Sequence, residues 1–106
     1  MGLSDEKCEP CHVGTPRLSH EEAENLHKEI PEWTLKDNAI EREYKFTDFR
    51  EAINFINKVA AAAEEMDHHP NICNSYNKVR IELFTHKIGG LSRNDFVLAA
   101  KIDRVA

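Results

Sequence analysis

No apolar run in this chain approaches the roughly 18 residues that a bilayer-spanning helix requires, so no membrane segment is expected. Nor is there a concentrated basic stripe. The 14 Lys and Arg residues are interspersed with 19 Asp and Glu residues, for a formal charge of -5. A surface that tracks phosphates needs clustered cations, so nucleic acid is not expected as a direct ligand. Cysteine is scarce and odd in number (Cys8, Cys11, Cys73), which argues against a disulfide framework. The opening stretch MGLSDEKCEPC turns polar at its fourth residue and leaves no room for the apolar segment of a secretory signal, so the chain is expected in the cytoplasm. Neither an internal repeat nor a low-complexity tract stands out.

What remains is an ordinary globular balance: 106 residues, 41% apolar and 31% charged, enough for one core in one domain. Residues 1–17 carry Cys, Pro and Gly without periodicity and read as a flexible or loosely docked arm, leaving 18–106 as the domain. Ser19 and Glu22 form a capping-box pattern, with Leu18 and Ala23 as its hydrophobic staple. Ala23, Leu26 and Ile30 follow at helical spacing, and Pro31 is expected to end this first helix.

Trp33 and Leu35, a turn at Asp37-Asn38, then Ile40, Tyr44 and Phe46 predict a hairpin, with Arg42 the one polar break on its inner face. Phe49, Ala52, Ile53, Ile56, Val59, Ala60 and Ala63 recur at helical spacing behind an Asp48/Glu51 capping pair, the strongest periodic signal in the chain. Pro70 biases His69 towards extended backbone, so this helix is expected to stop near Met66. A strand around Cys73 to Tyr76, a turn at Asn77 and the alternation of Val79, Ile81, Leu83 and Thr85 predict a second hairpin. After Gly89-Gly90, Ser92 and Asp95 open a last helix whose apolar face is Leu98, Ala99, Ile102 and Val105. The fold class is therefore α+β: a two-layer sandwich of a four-stranded antiparallel sheet with helices on one face, in the order α-β-β-α-β-β-α. Its uncovered sheet face and free edges make self-association an expectation.

The chemistry concentrates in Glu64-Glu65-Met66-Asp67-His68-His69-Pro70, where two adjacent histidines follow a long helix among carboxylates. A helix C-terminus carries partial negative charge and favours a protonated imidazole. Imidazole changes charge near neutrality, so the pair suits proton donation and acceptance side by side. Successive residues of extended chain face opposite ways, so His68 and His69 are expected to differ in role. His86 ends the last predicted strand and is a third candidate. Asp95 falls on the inward face of the last helix, where a carboxylate is costly unless it finds a donor such as a histidine.

Plainer readings compete. A histidine pair after a helix can be a C-terminal cap, and Asp95 three residues after Ser92 fits an N-terminal capping position. His68, His69, His86 and Asp95 are also conceivable metal ligands, and Cys8-Glu9-Pro10-Cys11-His12 has CxxC spacing. A structural zinc site needs a second ligand pair, which Cys73 alone does not provide. The same five residues match a c-type haem attachment pattern, but that attachment follows export, which is not expected here.

The spacing Glu64, three residues, His68-His69-Pro70, five residues, Tyr76, nine residues, His86, eight residues, Asp95 resembles the signature of the pterin-4a-carbinolamine dehydratases. Asp67, Tyr76-Asn77-Lys78-Val79, Thr85-His86 and Gly90-Leu91-Ser92 agree with it as well, and the likeness runs from about Leu18 to Val105. The resemblance implies conversion of 4a-hydroxytetrahydropterin to quinonoid dihydropterin plus water, with no metal, nicotinamide or flavin cofactor, in a homodimer or homotetramer. It implies that His68 and His86 exchange protons with the C4a hydroxyl and N5, that His69 binds substrate, and that Asp95 orients a histidine. The backbones of Asp67-His68-His69 and Phe84-Thr85-His86, with Glu64 nearby, would line the pterin edge. The same family includes animal members that stabilise the dimer of a homeodomain transcription factor. A non-catalytic binding module is therefore the alternative reading, and a third is a dehydratase serving another pterin pathway.

Overall fold

The computed structural model describes residues 18–85 and 88–106. The expected arm at 1–17, with Cys8 and Cys11, and the candidate His86 lie outside the described residues. The elements are α1 (His20–His27), β1 (Thr34–Leu35), β2 (Ile40–Lys45), α2 (Phe49–Met66), β3 (Asn71–Ser75), β4 (Lys78–Leu83) and α3 (Arg93–Val105). The four strands form one antiparallel sheet in the order β1-β2-β4-β3, as the α+β reading requires.

Alternation along β4 decides the two faces. Val79, Ile81 and Leu83 are completely buried, while Lys78 and Arg80 are exposed. On β2 the buried Ile40 and Tyr44 stand opposite Leu83 and Val79, so they share the inner face. Helices α2 and α3 pack on each other, and α2 lies against β4. The first helix instead contacts α3 and β1. Ring contacts knit the layers: the Phe55 centroid lies 4.6 Å from Tyr44 and 5.0 Å from Phe46.

Three sequence expectations need correction. The buried stripe of α2 is Ala52, Phe55, Val59, Ala63 and Met66, whereas Phe49 is 50% exposed and Ala60 is exposed. At about 100° per residue Phe49 and Ala60 fall to one side of the arc that carries the buried stripe; Phe55 takes an inward position. The first helix ends at His27 rather than at Pro31, and tight turns carry the chain on, with Glu29 N–H on Leu26 O and Ile30 N–H on His27 O, each at 3.0 Å. Finally, β4 stops at Leu83, so Thr85 lies past the strand and forms an isolated bridge with Gly90.

The helix starts follow their sequence signals. Ser19 and Glu22 form both arms of a capping box, and the Asp48 carboxylate accepts from Glu51 N–H at 2.9 Å. The end of α2 was less legible. Asp67 adopts a left-handed conformation (φ 51°, ψ 40°), with its N–H reaching Glu64 O at 3.2 Å and His68 N–H reaching Ala63 O at 3.1 Å. These bonds make a Schellman closure, in which an aspartate stands where glycine is usual. The left-handed residue redirects the chain before Pro70 acts on it.

Candidate active site

That turn positions the two histidines. His68, immediately after Asp67, places its ring over the first turn of α3, where Nε2 lies 2.5 Å from Asp95 Oδ1. Its side chain is 13% exposed and that of Asp95 is fully buried. His69 faces the other way: its side chain is 59% exposed and Nε2 lies 3.4 Å from the still more exposed Glu64. An exposed pair at that distance contributes little. The expectation that the adjacent histidines face differently therefore holds.

Asp95 is the hub. Burying a carboxylate costs several kcal/mol, on the order of what a good set of donors returns. Its Oδ2 accepts from Ser92 N–H at 2.9 Å and from Thr85 Oγ1 at 2.9 Å, while Oδ1 faces His68. Capping and histidine pairing, considered as rivals from sequence, are thus served by opposite oxygens of one carboxylate. No buried side-chain polar atom among the described residues lacks a partner. An ionised carboxylate only accepts, so the His68 nitrogen facing it carries a proton. In the neutral ring Nδ1 is then left as an acceptor.

The remaining candidates stand around this pair. Thr85 is buried, and its backbone bonds Gly90 O at 2.9 Å. Phe84 is half-buried just before it, and Asp67 is exposed at the turn. His68, Thr85 and Asp95 are brought together, His69 and Glu64 lie at the adjoining surface, and His86 follows Thr85 outside the described residues. No group of three or more His, Cys, Asp or Glu side chains among the described residues is arranged to hold a metal ion. Concavity and chemistry do not coincide. A cleft of about 410 Å³ lies between the start of α1 and the β1–β2 turn, and one of about 230 Å³ lies beside Cys73 and Arg80. Neither is lined by His68 or Asp95.

Sequence reasoning missed a second hub on α3. Asp103 accepts from Trp33 Nε1 at 3.0 Å on each oxygen, from Arg42 at 2.9 Å and from the Tyr44 hydroxyl. Arg42, expected as the polar break on the inner face, is thereby neutralised, and its guanidinium stacks 4.4 Å above the Tyr44 ring. The available signal was Asp103 lying four residues after the inward Ala99 while an inward-facing Arg42 needed a partner.

The comparisons with known proteins agree with one another. The family model described as Pterin 4 alpha carbinolamine dehydratase matches residues 16–105. A Rubrobacter xylanophilus protein is 45% identical over 104 residues, covering 97% of each chain, and a Nitrosomonas eutropha protein is 48% identical over 102 residues, covering 95% of this chain and 90% of its own. Both carry the name "Putative pterin-4-alpha-carbinolamine dehydratase". The crystal structure of a transcriptional coactivator/pterin dehydratase from Brucella melitensis superposes with a TM-score of 0.81 at 35% identity, over 85% of this chain and 98% of that one. A pterin dehydratase-like RuBisCO assembly factor shares the fold at 24% identity and a TM-score of 0.59. With a family model spanning nearly all of the described domain and relatives alike over almost their whole length, this chain belongs to the pterin-4a-carbinolamine dehydratase family.

Proposed function

We propose that this chain dehydrates a 4a-hydroxytetrahydropterin to quinonoid dihydropterin and water by histidine general acid–base catalysis. The observation that carries the reading is the His68–Asp95 pair, a titratable ring held by a fully buried carboxylate. In the reaction the C4a–O bond breaks as its hydroxyl takes up a proton and leaves as water. The N5 proton departs to a base, and the C4a=N5 bond forms. No electrons leave the pterin, so one proton donor and one acceptor suffice, and such catalysis is worth about 10²–10⁴-fold. His68 and His86 exchange these protons, His69 binds substrate, and Asp95 holds His68 and supports its charged form. Glu64, Asp67, Phe84 and Thr85 border the pterin, chiefly through backbone groups at the two turns. The reaction takes place in the cytoplasm.

The test is the rate of quinonoid dihydropterin formation from freshly generated substrate, with and without a chelator. Acceleration that ignores the chelator and is lost in His68→Ala supports this reading. A rate no faster than the spontaneous one rejects it and favours a binding module, in keeping with the Brucella relative, a transcriptional coactivator/pterin dehydratase. We further infer a homodimer or homotetramer, supported by the five-residue edge strand β3 and the exposed Ile72 on it. Sedimentation as a monomer at working concentration would overturn that part.

A further inference from the structure

We propose that Thr85 and Ser92 are positioning residues whose hydroxyls form a one-way hydrogen-bond chain that sets Asp95, and through it His68. The inference rests on the dehydratase reading for its consequence in rate but not for its geometry. The atoms are all buried: Thr85 is 5% exposed, Ser92 8% and Asp95 0%. Thr85 Oγ1 lies 2.9 Å from Asp95 Oδ2 and 2.8 Å from Ser92 Oγ, whereas Ser92 Oγ is 3.5 Å from Oδ2.

Counting hydrogens fixes the direction. Each hydroxyl owns one hydrogen, and the carboxylate can only accept. Thr85 spends its hydrogen on Oδ2, so the contact between the hydroxyls is Ser92 donating to Thr85. The longer Ser92–Oδ2 separation, at the limit of a hydrogen bond, agrees with that assignment. The chain thus runs from Ser92 Oγ–H to Thr85 Oγ1, from Thr85 Oγ1–H to Asp95 Oδ2, and from His68 Nε2–H to Oδ1. The Ser92 donor polarises the Thr85 hydroxyl and strengthens its bond to Oδ2, and this chain and the His68 N–H converge on the two oxygens of one carboxylate.

Two consequences separate this role from simple capping. The hydroxyls do more than cap: Ser92 Oγ accepts from the Asp95 backbone in the capping box of α3, whose other arm is Ser92 N–H on Oδ2 at 2.9 Å, while Thr85 takes no part in the cap. They load Oδ2 and hold the carboxylate plane so that Oδ1 faces His68. Thr85 also bonds Gly90 through its backbone in both directions, with N–H to O at 2.9 Å and the reverse at 3.4 Å. One residue therefore ties the carboxylate behind His68 to the backbone of Gly90. The Thr85 side chain is committed inward, and only its backbone is left to border a substrate.

The experiment compares Thr85→Val, Ser92→Ala and the hydroxyl-retaining Thr85→Ser and Ser92→Thr in the whole chain. Dehydration kinetics are read beside the ¹⁵N shifts of the His68 imidazole. Loss of a hydrogen bond to a charged acceptor predicts that Thr85→Val lowers kcat roughly tenfold or more with KM unchanged. Ser92→Ala should lower it less, and the conservative variants should restore it. The wild-type His68 should show the Nε2–H tautomer, and Thr85→Val should raise the Nδ1–H population. An unchanged tautomer in Thr85→Val overturns the proposal, as does a kcat loss that Thr85→Ser fails to rescue. Should Thr85→Val fail to fold, Thr85→Ala decides, because it removes the same hydroxyl and leaves both arms of the α3 capping box in place. Absence of dehydratase activity in wild type would reject the functional reading, while the tautomer measurement still judges the positioning.

Discussion

Two aspartates on α3 each gather several donors, yet their surroundings fit them for different work. Asp95 sits in the first turn, wholly buried, with two hydroxyls, a backbone N–H and an imidazole around it. Asp103 sits two turns later, 26% exposed, with an indole N–H, a guanidinium and a phenol around it. None of the Asp103 partners is an imidazole; one of the Asp95 partners is. The same chemical group is a fastening at one end of the helix and, on the proposed reading, the support of a proton-exchanging histidine at the other. What separates them is the chemistry of the donors, which no inspection of α3 alone would disclose.

The largest expected effect tests that contrast directly. Asp95→Asn should lower the dehydration rate by about 10² or more, the scale of a lost general acid–base contribution. Steady-state kinetics with a melting curve would check it. Asp103→Ala should do the reverse: it strands the buried Trp33 N–H and should cost about 1–3 kcal/mol of stability by denaturant titration. The rate of the folded fraction should stay near wild type. If Asp103→Ala lost activity as steeply as Asp95→Asn, the two hubs would not be separable.

A third test uses alkali. Burial, and then the hydrogen bond to Asp103, pushes the Tyr44 phenol well above its ordinary value of 10.0. The unfolded phenol ionises near pH 10.0 while the folded one stays protonated. The group's contribution is therefore whole below that pH and drains away as the pH rises beyond it. Denaturation midpoints should fall more steeply with rising pH in wild type than in Tyr44→Phe, whereas no such difference should attend changes around Asp95.

The smallest effect lies outside both hubs, at the surface cap of α1. The Ser19 backbone N–H, and then its hydroxyl, hold the Glu22 carboxyl below its ordinary 4.5. A lowered folded value stabilises above pH 4.5 and is lost as the pH falls through it. Glu22→Gln should trim the melting temperature slightly at neutral pH and make no difference in strong acid, where the native carboxyl is protonated as well. This exposed carboxyl supplies the baseline against which the buried pair is judged.

Much of this arrangement was legible before any coordinates. Alternation at Val79, Ile81 and Leu83 and the helical spacing through Val59 and Ala63 identify faces because burial repeats with the backbone's own period. Asp95 was legible as inward-facing for the same reason. The left-handed Asp67 was not, because aspartate tolerates that conformation without announcing it as glycine does. The Asp103 hub was not either, since its partners lie 59 to 70 residues away and share no local pattern with it. Phe55, not Phe49, belongs to the inward stripe, because the helical period carries Phe49 to one side of the arc that holds Ala52, Val59 and Ala63.

The placement of both hubs on α3 also bears on how the protein is made. Trp33, Arg42, Tyr44, His68 and Thr85 all precede α3 in the chain, so every one of these donors leaves the ribosome before its acceptor exists. Domains assemble as synthesis proceeds from the N-terminal side. A nascent chain carrying the sheet and α2 but not yet α3 holds a row of polar groups that only water can satisfy. Its inner layer must stay open until the last helix arrives. Completion is then abrupt, because the docking of a single helix satisfies all of those donors at once and creates the His68–Asp95 pair in the same event.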